Sequence, residues 1–146
     1  MKDTDLLCCL KILSPRLKSL QILADQLRPM EYYDIENVTD LVISALHYNM
    51  NEGPLCPKLE VLTLQRCMSA TDGLLSEMIA SRWNAHMLTL SRGLGGGAEV
   101  YALDSRNPIS GLYFFDVVFH YHSNLKDIRV LEGLRRQGLG GQTRHG

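Results

Sequence analysis

Apolar positions along the chain fall into two rhythms. In TDLLCCLKIL, Leu6, Leu7, Leu10 and Leu13 recur at helical spacing, and Val38, Leu41, Val42, Ala45 and Leu46 do the same in NVTDLVISALHYN, behind Thr39 as a cap. MSATDGLLSEMIASRW repeats the pattern with Leu74, Leu75, Met78, Ile79 and Trp83, capped by Thr71 or Ser69. SNLKDIRVLEGLRRQGL carries Leu125, Ile128, Leu131 and Leu134 on one stripe, with Asn124 or Ser123 as cap. Gly138 stands there as a left-handed stop, with Leu139 packing back. Between these segments the period shortens to two. CPKLEVLTLQRC sets Leu59, Leu62, Leu64 and Cys67 in the pattern L-x-x-L-x-L-x-x-C, so Leu62 and Leu64 point inward while Val61, Thr63 and Gln65 point out.

That pattern recurs. LEVLTLQRC (59–67) aligns with AHMLTLSRG (85–93) at an offset of 26 residues, with Leu62/Leu88, Thr63/Thr89, Leu64/Leu90 and Arg66/Arg92 identical. An earlier copy, LKSLQILAD (17–25), puts Leu17, Leu20 and Ile22 at the same places, 42 residues before the second. Both earlier copies follow a proline, in SPRLKSL and CPKLEVL, where the missing N–H costs no ladder bond. One such repeat cannot bury its apolar face, so neighbours must stack. The expected fold is therefore α/β: a short leucine-rich-repeat solenoid with parallel strands, helices on the convex side and a C-terminal capping helix, over residues 1–139. DQLRPMEYYDIEN (25–37) reads as an inserted loop, the glycine-rich stretch opens an irregular loop at about 93–111, and GGQTRHG is expected as a disordered tail over 140–146. LYFFDVVFHY (112–121) reads as a strand outside the template.

The combination CPKLEVLTLQRC, TDGLLSEMIASRW, a further LTL segment and LKDIRVLEGLRRQGL resembles the C-terminal repeats of fungal F-box-type leucine-rich-repeat proteins, over roughly residues 14–92 and 123–139. The resemblance implies a substrate-recognition subunit of a cullin-type ubiquitin ligase, with the repeats holding the target. No F-box-like segment occurs in these residues, so binding of the ligase adaptor is expected only if such a segment precedes them, and the chain reads as a fragment, a truncated paralogue or a partial gene model.

Composition narrows the function further. With 146 residues, 45% hydrophobic and 21% charged, the chain suits one ordinary globular domain. A net charge of −1 offers no field for phosphate backbones, so nucleic acid is not an expected partner. The N-terminal apolar run is broken by Lys11 and lacks a cleavage signal, so neither a membrane span nor export is expected. Cys8, Cys9, Cys56 and Cys67 form no C-x-x-C and read as reduced thiols of an intracellular protein, cytoplasmic or nuclear.

Chemistry-bearing motifs are few. GLGGGA (93–98) fits G-x-G-x-x-A and Asp116 stands at about the distance of the ribose acid, so a nucleotide loop is one reading; a plain glycine loop is the other. His120 and His122 share a strand face and would hold zinc only with a third ligand. Cys67 closes a repeat, where burial keeps a thiol inert. No catalytic set, cofactor or metal site emerges, and the chain reads as a non-enzymatic binder. Ser19, Gln21 and Leu23, then Val61, Thr63 and Gln65, then Met87, Thr89 and Ser91 form three expected columns on the concave face, which suits a protein partner. Arg66 and Arg92 recur at one repeat position and are expected on one sheet edge, where arginine forks suit an anionic group.

Overall fold

The computed structural model describes residues 2–24, 38–48, 55–94, 111–119 and 124–145. Helices and strands alternate along the chain: α1 (Asp3–Leu13), β1 (Ser19–Leu23), α2 (Asp40–Leu46), β2 (Val61–Gln65), α3 (Leu74–Leu94), β3 (Phe114–Phe119), α4 (Leu125–Arg136) and β4 (Gly140–His145). The four strands pair in parallel, in chain order β1-β2-β3-β4. Helices pack in the same order, α1 on α2, α2 on α3 and α3 on α4. One core joins the two layers. Leu20 and Ile22, Leu62 and Leu64, and Phe115 and Val117 reach it from the sheet; Val42, Ile43, Leu75, Met78, Ile79, Leu131 and Leu134 reach it from the helices.

Two of the three expected rungs lie side by side. Leu20 pairs with Leu62 and Ile22 with Leu64, as the alignment of the first two copies requires. The third copy does not. Residues 85–93 belong to α3, which runs unbroken for 21 residues. The reason lies in what precedes each copy. Pro15 and Pro57 stand two residues before Leu17 and Leu59 and forbid a helix from running into the strand. Trp83 and Asn84 precede the third copy, no proline or glycine intervenes between Leu74 and Arg92, and a helix already nucleated adds residues cheaply.

The rung beside β2 is β3 instead, with Leu62 opposite Phe115 and Leu64 opposite Val117. Carried back along the strands, the same register sets Leu112 level with Leu59, and both are fully buried. The rung is therefore L-x-x-F-x-V, the template with larger and β-branched side chains in place of leucine. The segment expected as a disordered tail also corrects the sequence reading, because residues 140–145 form β4. Its residues have little strand propensity. The open edge of β3 offers backbone partners, and tertiary pairing outweighs propensity. Gly141, at φ 137°, lies so close to β3 that a Cβ would stand 2.2 Å from the Phe115 carbonyl oxygen.

Helix α4 ends as its sequence indicates. Gly138 is left-handed at φ 111°, its N–H donates to the Arg135 carbonyl at 3.0 Å, and the Leu139 N–H donates to the Leu134 carbonyl at 3.1 Å. Leu139 is buried, which anchors the start of β4.

The helix layer is tied together at its N-terminal ends. The Thr39 hydroxyl donates to Asp3 (3.1 Å), and the Thr71 N–H and hydroxyl donate to Asp40 (both 2.6 Å). Asp72 then accepts from the Lys126 and Asp127 N–H groups at 3.1 and 3.0 Å, while Asp127, fully buried, accepts from the Ser76 N–H at 2.7 Å. The starts of α3 and α4 thus exchange acids, Asp127 and Asp72, which satisfy first-turn N–H donors that no intrahelical carbonyl can reach.

Candidate interaction face

Strand residues alternate between the core and the opposite face of the sheet, and register assembles that opposite face into rows. Ser19, Val61, Phe114 and Gly140 form the first; Gln21, Thr63, Asp116 and Gln142 the second; Leu23, Gln65, Val118 and Arg144 the third. Ser19, Gln21, Leu23, Phe114, Gln142 and Arg144 are exposed, and Val61, Gln65, Asp116 and Val118 are half-buried. Thr63 is only 8% exposed, the most buried position of the three rows.

Six of the nine expected face residues therefore lie where the sequence reading puts them. Met87, Thr89 and Ser91 do not: they fall on α3, and Phe114, Asp116 and Val118 take the column beside β2. Gln142 and Arg144 add a fourth column that the reading of a disordered tail concealed. β3 falls within LYFFDVVFHY, which reads as a strand, and its place beside β2 is legible once phenylalanine and valine are admitted at the leucine positions. For β4 no comparable signal exists in GGQTRH.

Charge on this face is arranged at its far side. One Arg144 guanidinium nitrogen donates to both Asp116 carboxylate oxygens, at 2.9 and 3.1 Å, in a pair exposed enough to contribute about 0.5 kcal/mol. Arg66 is exposed at the end of β2, at the left-handed φ of 53°, and its N–H donates to the Val118 carbonyl at 3.0 Å. Arg92 lies within α3, so the two arginines do not share a sheet edge and that expected pair is withdrawn. Lys18 and Glu60 pair at 3.5 Å at the opposite ends of the strands.

The remaining motifs separate from this face. Gly93 and Leu94 close α3, so a helix rather than a strand leads into the glycine run, which the dinucleotide fingerprint does not allow. Residues 95–98, His120 and His122 lie outside the described residues. Asp116 is engaged by Arg144. Cys67 is buried with its thiol donating to the Ile22 carbonyl at 3.4 Å, and burial raises its pKa to about 11. Such a thiol is no nucleophile at neutral pH.

One buried cation lies behind the sheet. Arg82, 2% exposed, donates through Nε to the Leu46 carbonyl (2.7 Å), through Nη1 to Cys56 (3.0 Å) and through Nη2 to Leu55. Burial lowers its pKa to about 10, which leaves it charged at neutral pH. It fastens the end of α2 and the approach to Pro57 onto α3, and so helps aim β2.

Against known proteins the chain matches no family model, no curated protein and no solved structure. Geometry must carry the reading. Among the described residues no helix is long and apolar enough to cross a membrane.

Proposed function

We propose that this chain is a non-enzymatic, leucine-rich-repeat-like scaffold that binds a protein partner across the uncovered face of its sheet. The observation that carries the reading is the asymmetry of that sheet. Both ladders of buried side chains and all the helix packing lie on one side, and the other presents twelve positions in register with no covering element among the described residues. Their chemistry favours a protein: Leu23, Val61, Phe114 and Val118 supply apolar area, while Gln21, Gln65, Gln142 and Arg144 supply hydrogen-bonding groups. The strands are short and stiffly paired, so the face costs little ordering on binding.

The resemblance adds a biological setting to this proposal: target recognition for a cullin-type ubiquitin ligase. Both parts can be tested with one set of proteins. A photo-crosslinking amino acid placed at Gln21, Gln65 or Gln142 should capture a discrete protein in cells, whereas placement at Ser44 or Glu77, exposed on the helix layer, should not. Capture from the helix positions with none from the sheet positions overturns the reading. Ligase subunits recovered with the captured partner support the setting, and their absence removes it while leaving the binding reading in place.

A further inference from the structure

β4 is the last strand of the sheet among the described residues, and its outer edge leaves backbone groups unused. In a parallel ladder, alternate residues turn both N–H and C=O toward the same neighbour. The Gly140 N–H donates to the Tyr113 carbonyl at 3.0 Å, so Gly140, Gln142 and Arg144 face β3, and the backbone of Gly141, Thr143 and His145 faces away. Beside that edge lies a hollow of about 480 Å³ lined by Glu132, Arg135, Arg136, Leu139, Gly140 and Gly141.

Charge selects the occupant. Lys126, Arg129, Arg135, Arg136 and Arg144 are exposed on α4 and β4 against the exposed Glu132, and Asp127 is buried and used by backbone donors. Lys126 pairs with Glu77 and Arg144 with Asp116, while Arg129, Arg135 and Arg136 form no ion pair among the described residues. A second copy is disfavoured at this edge. Its own β4 would bring the same arginines, and its β1 edge is led in by Arg16 and Lys18. Like charges brought together in this way resist association.

We propose that β4 takes up an extended acidic peptide as a fifth strand, with the peptide backbone pairing to Gly141 and Thr143 and an acidic side chain seated in the hollow beside Arg135 and Arg136. Backbone pairing supplies affinity and the alternate side chains supply selectivity. The assignment does not depend on the open sheet face being a binding surface.

Thr143→Pro isolates the edge. The Thr143 N–H faces outward, so proline removes an edge donor without breaking a bond to β3. The probes are two fluorescent eight-residue peptides, one alternating valine with glutamate and the other valine with lysine. By fluorescence anisotropy on the full chain, the glutamate peptide should bind at least about fivefold more tightly than the lysine peptide at low salt, with the difference shrinking as salt is raised. Thr143→Pro should abolish binding, and Arg135→Ala with Arg136→Ala should remove the preference. Should Thr143→Pro fail to fold, amide exchange on the unmodified chain serves in its place, with Gly141 and Thr143 slowed when the glutamate peptide is added. Equal binding of both peptides, no binding of either, binding indifferent to Thr143→Pro in a folded variant, or unslowed exchange at both amides overturns the proposal. So does a self-association of the unliganded chain that Thr143→Pro abolishes, because a second copy would then hold the edge.

Discussion

Residues 59–67 and 85–93 share Leu, Thr, Leu and Arg at matched positions, yet one is a buried strand and the other continues a helix. Leu62 is fully buried in β2; its aligned partner Leu88 is 58% exposed on α3. The four shared residues do not account for this. The difference lies upstream, where Pro57 breaks the chain ahead of the first and a running helix feeds directly into the second. A leucine pattern therefore specifies a strand here only when something stops a helix from claiming it.

Paired truncations test that contrast most strongly. Leu62→Ala should cost about 2–5 kcal/mol, because it removes methylenes from a close-packed site, whereas Leu88→Ala should stay within about 1 kcal/mol. Urea melts of the two variants would show it, and equal losses would place the two leucines in equivalent surroundings. Next in size is Arg82→Ala, expected to lose about 3 kcal/mol by leaving two buried carbonyls and a part-buried one without their donor. Arg82→Lys should recover little, since one ammonium cannot reproduce the planar fork. A full rescue by lysine would mean that charge, and not the set of carbonyl bonds ahead of Pro57, matters at this position.

A smaller effect concerns β4, the rung made without leucine. Gly141→Ala should destabilise by about 1–3 kcal/mol, since the left-handed backbone and the nearby Phe115 carbonyl both oppose a Cβ. Amide exchange should speed up in β4 and stay slow in β1 and β2; uniform acceleration would show that the rungs unfold as one. The smallest effect is at Asp40. Hydrogen bonds from Thr71 hold its carboxyl below the ordinary carboxylate value of 3.8. A depressed folded pKa favours the folded chain at higher pH, and that contribution disappears as pH falls below about 4. Asp40→Asn should therefore flatten the acid limb of a stability-against-pH curve, and an unchanged limb would show that the Thr71 contact contributes nothing.

How much was legible follows the same division. The four amphipathic helices, the first two strands and the Gly138 stop are all readable from period and punctuation, and β3 from its β-branched and aromatic residues, because local chemistry and the tertiary outcome agree there. Six residues of the open face follow directly from that alternation. The third rung is not where residue identity points, because no proline stops α3 ahead of residues 85–93, and Leu112, Phe115 and Val117 carry the same inward pattern in bulkier form. A second repeat was also present in Thr4-Asp5, Thr39-Asp40 and Thr71-Asp72, each at a helix start. Two of these pairs take part in the bonds that link neighbouring helices. β4 is different in kind: its residues favour no particular state, and the partner strand decides for them.

The most direct test of the account is a set of cross-strand nuclear Overhauser contacts from β2. Thr63 should show backbone contacts to Asp116 on one side and Gln21 on the other, with helical shifts and sequential amide contacts through residues 85–93. Contacts from Thr63 to residues 87–91, with extended shifts there, would contradict it, restoring the leucine-matched rung and dismantling the open face described above.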